Sequence, residues 1–411
     1  PGWLLIHLFL LGAVTNAIVT WTEHFATALL RLAAPPHWWP GARLAVLNAG
    51  VAAVLVGTAG EMAVLAVAGA ALVVGIVLGH IGVLVFRARR ALGGRFAHLV
   101  AWYVWSGLAL ATGGTLGGLM VSGRVPGAWR IRLEAAHIHA NLLGWVGLAV
   151  LGTLFTLWPT VLRTRVAENV SAVARRSLWL AVPGLGAAVG GLVAGWRWAA
   201  TAGLAGYAAA AGLALRPFVT VARNRHPHTP AAWMLAAGTA WFVVALGADA
   251  AVVATRPVPE VAERVEELVP FILVGFVGQI LLGALTHLLP VVLGGGPAGL
   301  KRLSAVMNRG WTIRLAAANV TALVFALPAL GVPVPWWLTW TAWTLLVVTL
   351  AAFVLLAGWA IAVSRGARMS PQKAGLVTGC ALTALAVVVA LSGQGGQSGE
   401  QAEAVTGSGT R

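Results

Sequence analysis

The residues of this 411-residue chain best suited to chemistry are its histidines. Ten are present, and seven of them, His7, His24, His80, His98, His137, His139 and His287, fall within or at the ends of strongly apolar stretches. An ionisable ring in hydrocarbon is costly, so its presence there points to a function. Neutral imidazole is a good ligand for iron and copper, and the seven are read as candidate ligands for haem and/or copper. The single cysteine, Cys380, excludes a disulfide framework and a cysteine-type zinc or iron–sulfur centre. The other three histidines, His37, His226 and His228, sit in basic loops and take no assigned role.

The segment His137-Ile138-His139 is the sharpest local feature. At about 100° per residue, positions i and i+2 of a helix point roughly 200° apart. The two rings are therefore expected to serve two sites on opposite faces of one helix, as needed to hold two haems, or a haem and a copper. Asn141 and Trp145 follow on the same helix and can orient a ligand. Glu23, beside His24, can orient an imidazole, pass protons or pair with an arginine. Asp249 is a buried acid with no obvious partner. His80 and His98 flank the short basic loop 87–95, so a hairpin brings them close.

The elements that must position these rings are set by composition. Hydrophobic residues make up 59% of the chain and charged residues 9%, against about 45–50% and about 25% in soluble domains. A spanning helix needs about 20 mostly apolar residues. Such runs predict an all-α, polytopic transmembrane bundle of about twelve spans, at 2–32, 42–58, 61–86, 96–122, 133–162, 176–195, 197–217, 231–255, 268–293, 311–331, 335–363 and 372–392. The segment 260–267, with four glutamates, is expected as a short surface helix. Residues 1–391 form one helical domain, and the Gly/Ser/Gln-rich 392–411 reads as a flexible linker. There is no convincing sequence repeat, Walker loop or dinucleotide fingerprint.

The net charge of +16 does not indicate nucleic acid, because the cations form no single stripe. Of the 27 Lys and Arg, 20 fall in one set of alternate loops and 7 in the other set with the tail. By the positive-inside rule the first set is cytoplasmic, which places both ends of the chain outside the cell membrane. Tryptophans at span ends, such as Trp38, Trp196, Trp198 and Trp336, read as interfacial anchors in the lipid bilayer. Topology then sorts the histidines into two layers. His7, His137 and His139 lie toward the outer face, and His24, His80, His98 and His287 toward the inner one.

Three stretches together, WLLIHLFLLGAVTNAIVTWTEHFATALLR (3–31), HIHANLLGWVGLAVLGTLFTLWPTVLRTR (137–165) and GQILLGALTHLLPVVLGGG (278–296), resemble the membrane region of actinobacterial copper oxidase and copper-containing nitrite reductase fusion proteins. The region is also distantly similar to NnrS and to haem-copper oxidase subunits. The resemblance implies helix-borne histidines holding haem or copper, and a role in respiratory electron transfer or nitrite/NO metabolism. It further implies a cupredoxin domain beyond the linker, which this sequence lacks, and quinol as an electron donor. The leading expectation is a membrane redox module, of a kind that can form the membrane part of an oxidoreductase, with no catalytic residue assigned. The alternatives are a transporter of a metal ion or small solute, with the same histidines as transient ligands, and a passive anchor.

Overall fold

The computed structural model describes residues 2–31, 33–90 and 97–365, without the side chains of Ala97 and His98. Among the described residues every regular element is helical. In chain order the helices are α1 (Gly2–Leu29), α2 (Trp38–Ala59), α3 (Ala63–Arg89), α4 (Ala97–Val121), α5 (Gly127–Val161), α6 (Val170–Ala194), α7 (Arg197–Asn224), α8 (Pro230–Thr255), α9 (Val258–Leu293), α10 (Pro297–Met307), α11 (Trp311–Ala326) and α12 (Trp336–Ser364). All except α10 are long and apolar enough to cross a membrane, which makes eleven spans among the described residues. The expected twelfth, 372–392 with Cys380, and the tail 392–411 lie outside them.

Most spans follow the apolar runs, and the differences have local causes. Thr229 starts α8 sharply: its side chain accepts a hydrogen bond from the Ala232 amide at 3.2 Å, with Pro230 at the first helical position. The acidic segment 260–267 is not a separate surface helix. It is the first part of α9, where Val258, Val261, Ala262, Val265, Leu268 and Val269 are buried at helical spacing. A similar extension starts α5 at Gly127, six residues before the expected boundary. Residues 297–307, read as loop, form α10, which buries Leu303, Val306 and Met307 and exposes Lys301 and Arg302.

Small residues let neighbouring spans approach closely, as is usual where helices cannot gain from expelling water. A Cβ on Gly203 of α7 would stand 2.3 Å from the Ala188 amide nitrogen of α6. Two spans form the centre of the bundle: 83% of the most apolar window of α5 and 67% of that of α9 is buried, against 22–44% for the other nine. Both long central helices contain histidines of interest.

A threefold internal pattern emerges from the backbone. π-Helical stretches interrupt α1 at Leu8–Val14, α5 at Ala140–Leu148 and α9 at Ile272–Gly278. Each contains the same short word: Leu10-Leu11-Gly12-Ala13-Val14, Leu142-Leu143-Gly144-Trp145-Val146 and Leu273-Val274-Gly275-Phe276-Val277. These are the first, fifth and ninth spans. Four residues beyond the glycines stand Asn16, Leu148 and Gln279. Asn16 exchanges two amide hydrogen bonds with Asn48 of α2, at 2.9 and 3.0 Å. Gln279 does the same with Asn319 of α11, at 3.2 and 3.3 Å. The second partners also sit in matching words, Arg43-Leu44-Ala45 and Arg314-Leu315-Ala316, each five residues before its asparagine. Aligning the glycines pairs His7 with His139 and Pro270, and His24 with Thr156 and His287. Among the described residues the α1–α2 pair and the α9–α11 pair, the starts of the first and third units of the pattern, are thus built on one plan.

Candidate functional site

His7, His137 and His139, expected toward the outer face, occupy the turns around the π stretches of α1 and α5. π-Turns leave a backbone locally free of the regular hydrogen-bond ladder and are frequent at functional sites. His7 and His137, on different spans, have ring centroids 6.0 Å apart with an interplanar angle of 23°. The His7 ring also stacks on Trp3 at 4.3 Å. His7 Nδ1 lies 2.8 Å from the Trp3 carbonyl oxygen, and His137 Nδ1 lies 2.7 Å from that of Gly113 on α4. A carbonyl only accepts, so Nδ1 carries the proton in both rings and Nε2 presents a lone pair. Asn141 donates to the His137 carbonyl at 2.8 Å and holds this turn in place. The close fit requires Gly117, where a Cβ would come 3.0 Å from His137 Cε1.

His139 points the other way, as the i, i+2 spacing requires. Its Nδ1 donates to the Ala135 carbonyl at 2.7 Å, and its Nε2 lies 3.1 Å from Asp249 Oδ1 of α8. Asp249, unpaired in the sequence reading, thus has its partner. Both groups are buried, and neither of the two facing atoms has a hydrogen-bond partner. A lone pair and a carboxylate oxygen at this distance repel unless a proton or a cation lies between them. A cavity of about 20 Å³ adjoins the pair, walled by Ile138, Leu142, Phe242, Leu246, Val265 and Phe276. Such a volume holds about one water molecule.

At the other end of the bundle the arrangement is different. Glu23 forms an ion pair with Arg43 at 2.5 Å and a second with Arg87 at 3.4 Å. Arg43 also donates to His80 Nδ1 at 3.0 Å. Guanidinium only donates, so His80 carries its proton on Nε2, which lies 2.9 Å from Thr22 Oγ1. Both ring nitrogens of His80 are therefore engaged by protein partners, and the ring is a member of an ion-pair cluster joining α1, α2 and α3. His24, the next residue after Glu23, has aromatic neighbours, Trp21 at 5.4 Å and Phe25 at 6.1 Å. His287 lies on α9 within electrostatic reach of Arg163. The His98 side chain is outside the described residues. Among the described residues no three His, Cys, Asp or Glu side chains converge as a metal site, at either end of the bundle.

A further cavity, of about 210 Å³, runs between α1, α9 and α12 and is walled by Leu5, Ile6, Phe9, Leu273, Trp343 and Phe353. It flanks the turn that carries His7.

The sequence reading left His139 and Asp249 unpaired with each other; it allowed Glu23 an arginine partner but did not identify Arg43, nor the link from Arg43 to His80. A buried Arg in the second span was the available signal for the latter. The fold and site define a multi-pass helical membrane protein with ionisable groups enclosed at two depths. The sequence matches no protein-family model and no curated protein.

Proposed function

We propose that this protein is a membrane redox module that binds copper and/or haem iron through its outer histidines. The observation that carries this reading is the His7–His137 pair: two rings from separate spans at one depth, each with Nδ1 tied to a carbonyl and Nε2 left for a metal. Backbone-locked imidazoles of this kind are the usual form of histidine ligands. Two donors leave further coordination positions for an exogenous ligand, such as a small nitrogen oxide. The apolar cavity beside α1 suits an electron donor of quinol type. Electrons would pass from it to an exported cupredoxin-type copper domain.

The test is a reduced-minus-oxidised spectrum of the purified protein with metal analysis. Wild type is expected to carry stoichiometric copper or haem. His7→Ala and His137→Ala are each expected to lower occupancy at least tenfold, and His226→Ala to leave it unchanged. A metal-free, spectrally silent wild-type protein refutes the reading.

A transporter is the second reading, and the enclosed His139–Asp249 pair favours it, because such pairs serve as ion or proton relays in membranes. Uptake of a metal ion into proteoliposomes, lost in His139→Ala and Asp249→Asn without any bound cofactor, is the outcome that would replace the redox reading.

A further inference from the structure

The two related arginines, Arg43 and Arg314, are differently satisfied. Both are buried, at 2% and 5% exposure, and both sit five residues before the asparagine of a matching amide pair. Arg43 has Glu23 as its counter-charge. The register position of Glu23, eleven residues beyond the glycine of the repeated word, is Thr286 in the third unit. Among the described residues Arg314 accordingly has no carboxylate partner. Its Nη2 donates to the Met307 carbonyl at 2.6 Å, while Nε and Nη1 have no hydrogen-bond partner. A buried cation left uncompensated is costly.

The missing anion has no source in the surrounding sequence. Between Glu267 and Glu400 the chain has no Asp or Glu, while this same corner carries Lys301, Arg302, Arg309 and Arg314. The α11 amino terminus adds to the positive field: Gly310 begins it in the left-handed region, φ 60°, and no side chain caps its free amides. The corner also has the form of a membrane interface. α10 lies with an apolar face inward and Lys301 and Arg302 exposed, and the Arg309 guanidinium covers the Trp359 ring at 4.2 Å. These loops belong to the arginine-rich set, where anionic lipid concentrates.

We infer that the corner formed by α10 and the start of α11 binds a phosphate group, that of an anionic phospholipid, with Arg314 as its principal ligand. Arg314 swings its Nε and Nη1 toward the phosphate, while Lys301, Arg302 and Arg309 draw the headgroup in. Inorganic phosphate offers the same oxygens, but only a lipid also covers the apolar side of α10.

The test uses the full chain in nanodiscs of phosphatidylcholine, with phosphatidylglycerol added or inorganic phosphate added, followed by thermal unfolding and native mass spectrometry. Wild type is expected to retain one phosphatidylglycerol and to unfold at a higher temperature with it than without. That retention is expected to persist in 0.5 M salt, unlike attraction to exposed cations. Arg314→Gln is expected to weaken retention at least tenfold, and Arg302→Gln less than threefold. Thr286→Glu supplies an internal carboxylate at the register of Glu23. It is expected to fold, to be more stable in phosphatidylcholine alone and to lose the phosphatidylglycerol response. Equal stabilisation of wild type by millimolar phosphate overturns the lipid assignment. Unchanged lipid retention in both Arg314→Gln and Thr286→Glu overturns the site.

Discussion

Replacing Glu23 by Gln isolates the contribution of the ion-pair cluster at the arginine-rich end of α1. The change keeps shape and removes one charge. Arg43 is 2% exposed and 2.5 Å from the carboxylate, so its guanidinium loses its close counter-charge within the bundle. Arg87, partly exposed and 3.4 Å away, can turn toward solvent. Its loss counts as that of a surface pair, at most about 1 kcal/mol. Breaking a buried pair by removing one partner costs about 3–5 kcal/mol. The total expected is therefore about 3–5 kcal/mol, dominated by the stranded Arg43. Removing both charges, Glu23→Gln with Arg43→Gln, should recover much of that loss, because no uncompensated ion remains. The assay is reversible unfolding in mixed micelles with increasing denaturing detergent, run as a double-mutant cycle. A Glu23→Gln loss below about 1 kcal/mol, or a double variant as damaged as the sum of the single ones, refutes the argument. His80 adds a check. With its acceptor role to Arg43 gone, His80→Gln should be nearly neutral in the Arg43→Gln background but destabilising in wild type.

Two further outcomes follow from packing at the repeated π stretches. Gly275→Val places a Cβ 2.7 Å from Trp241 Cγ, and Gly144→Val places one 2.4 Å from Ala109 Cβ. Each should cost at least about 1–3 kcal/mol and lower the yield of monodisperse protein on size-exclusion chromatography. Gly12→Ala, which meets only Leu8 Cδ1 at 3.7 Å among the described residues, should leave that yield unchanged. Tyr207→Phe strips the hydrogen bond to the Leu143 carbonyl, 2.7 Å long and inside the α5 π stretch, and should cost about 1 kcal/mol by the same unfolding assay.

The sequence by itself determined that this is a helical membrane protein. Twenty-residue apolar runs separated by arginine-bearing turns have no other stable use, because every backbone group in lipid must be paired within its own segment. It also determined that His137 and His139 face opposite ways, since that depends only on the helical repeat, and that His7 and His137 share a depth, since that depends only on span direction. What it could not decide was which side chains meet. Asp249 finds His139, and Arg43 finds Glu23 and His80, because of how each helix is rotated about its axis. That rotation is fixed by close approaches such as Gly144 on Ala109, not by any single run of residues. The threefold word was hidden for a related reason: five residues in a Leu-, Val- and Gly-rich chain carry little information until three π stretches align them. Only the tertiary structure separated His80, whose two nitrogens are both taken by neighbours, from His7 and His137, whose Nε2 atoms remain available. In an apolar bundle all three look alike in sequence, and it is the neighbouring helices that supply or withhold their partners.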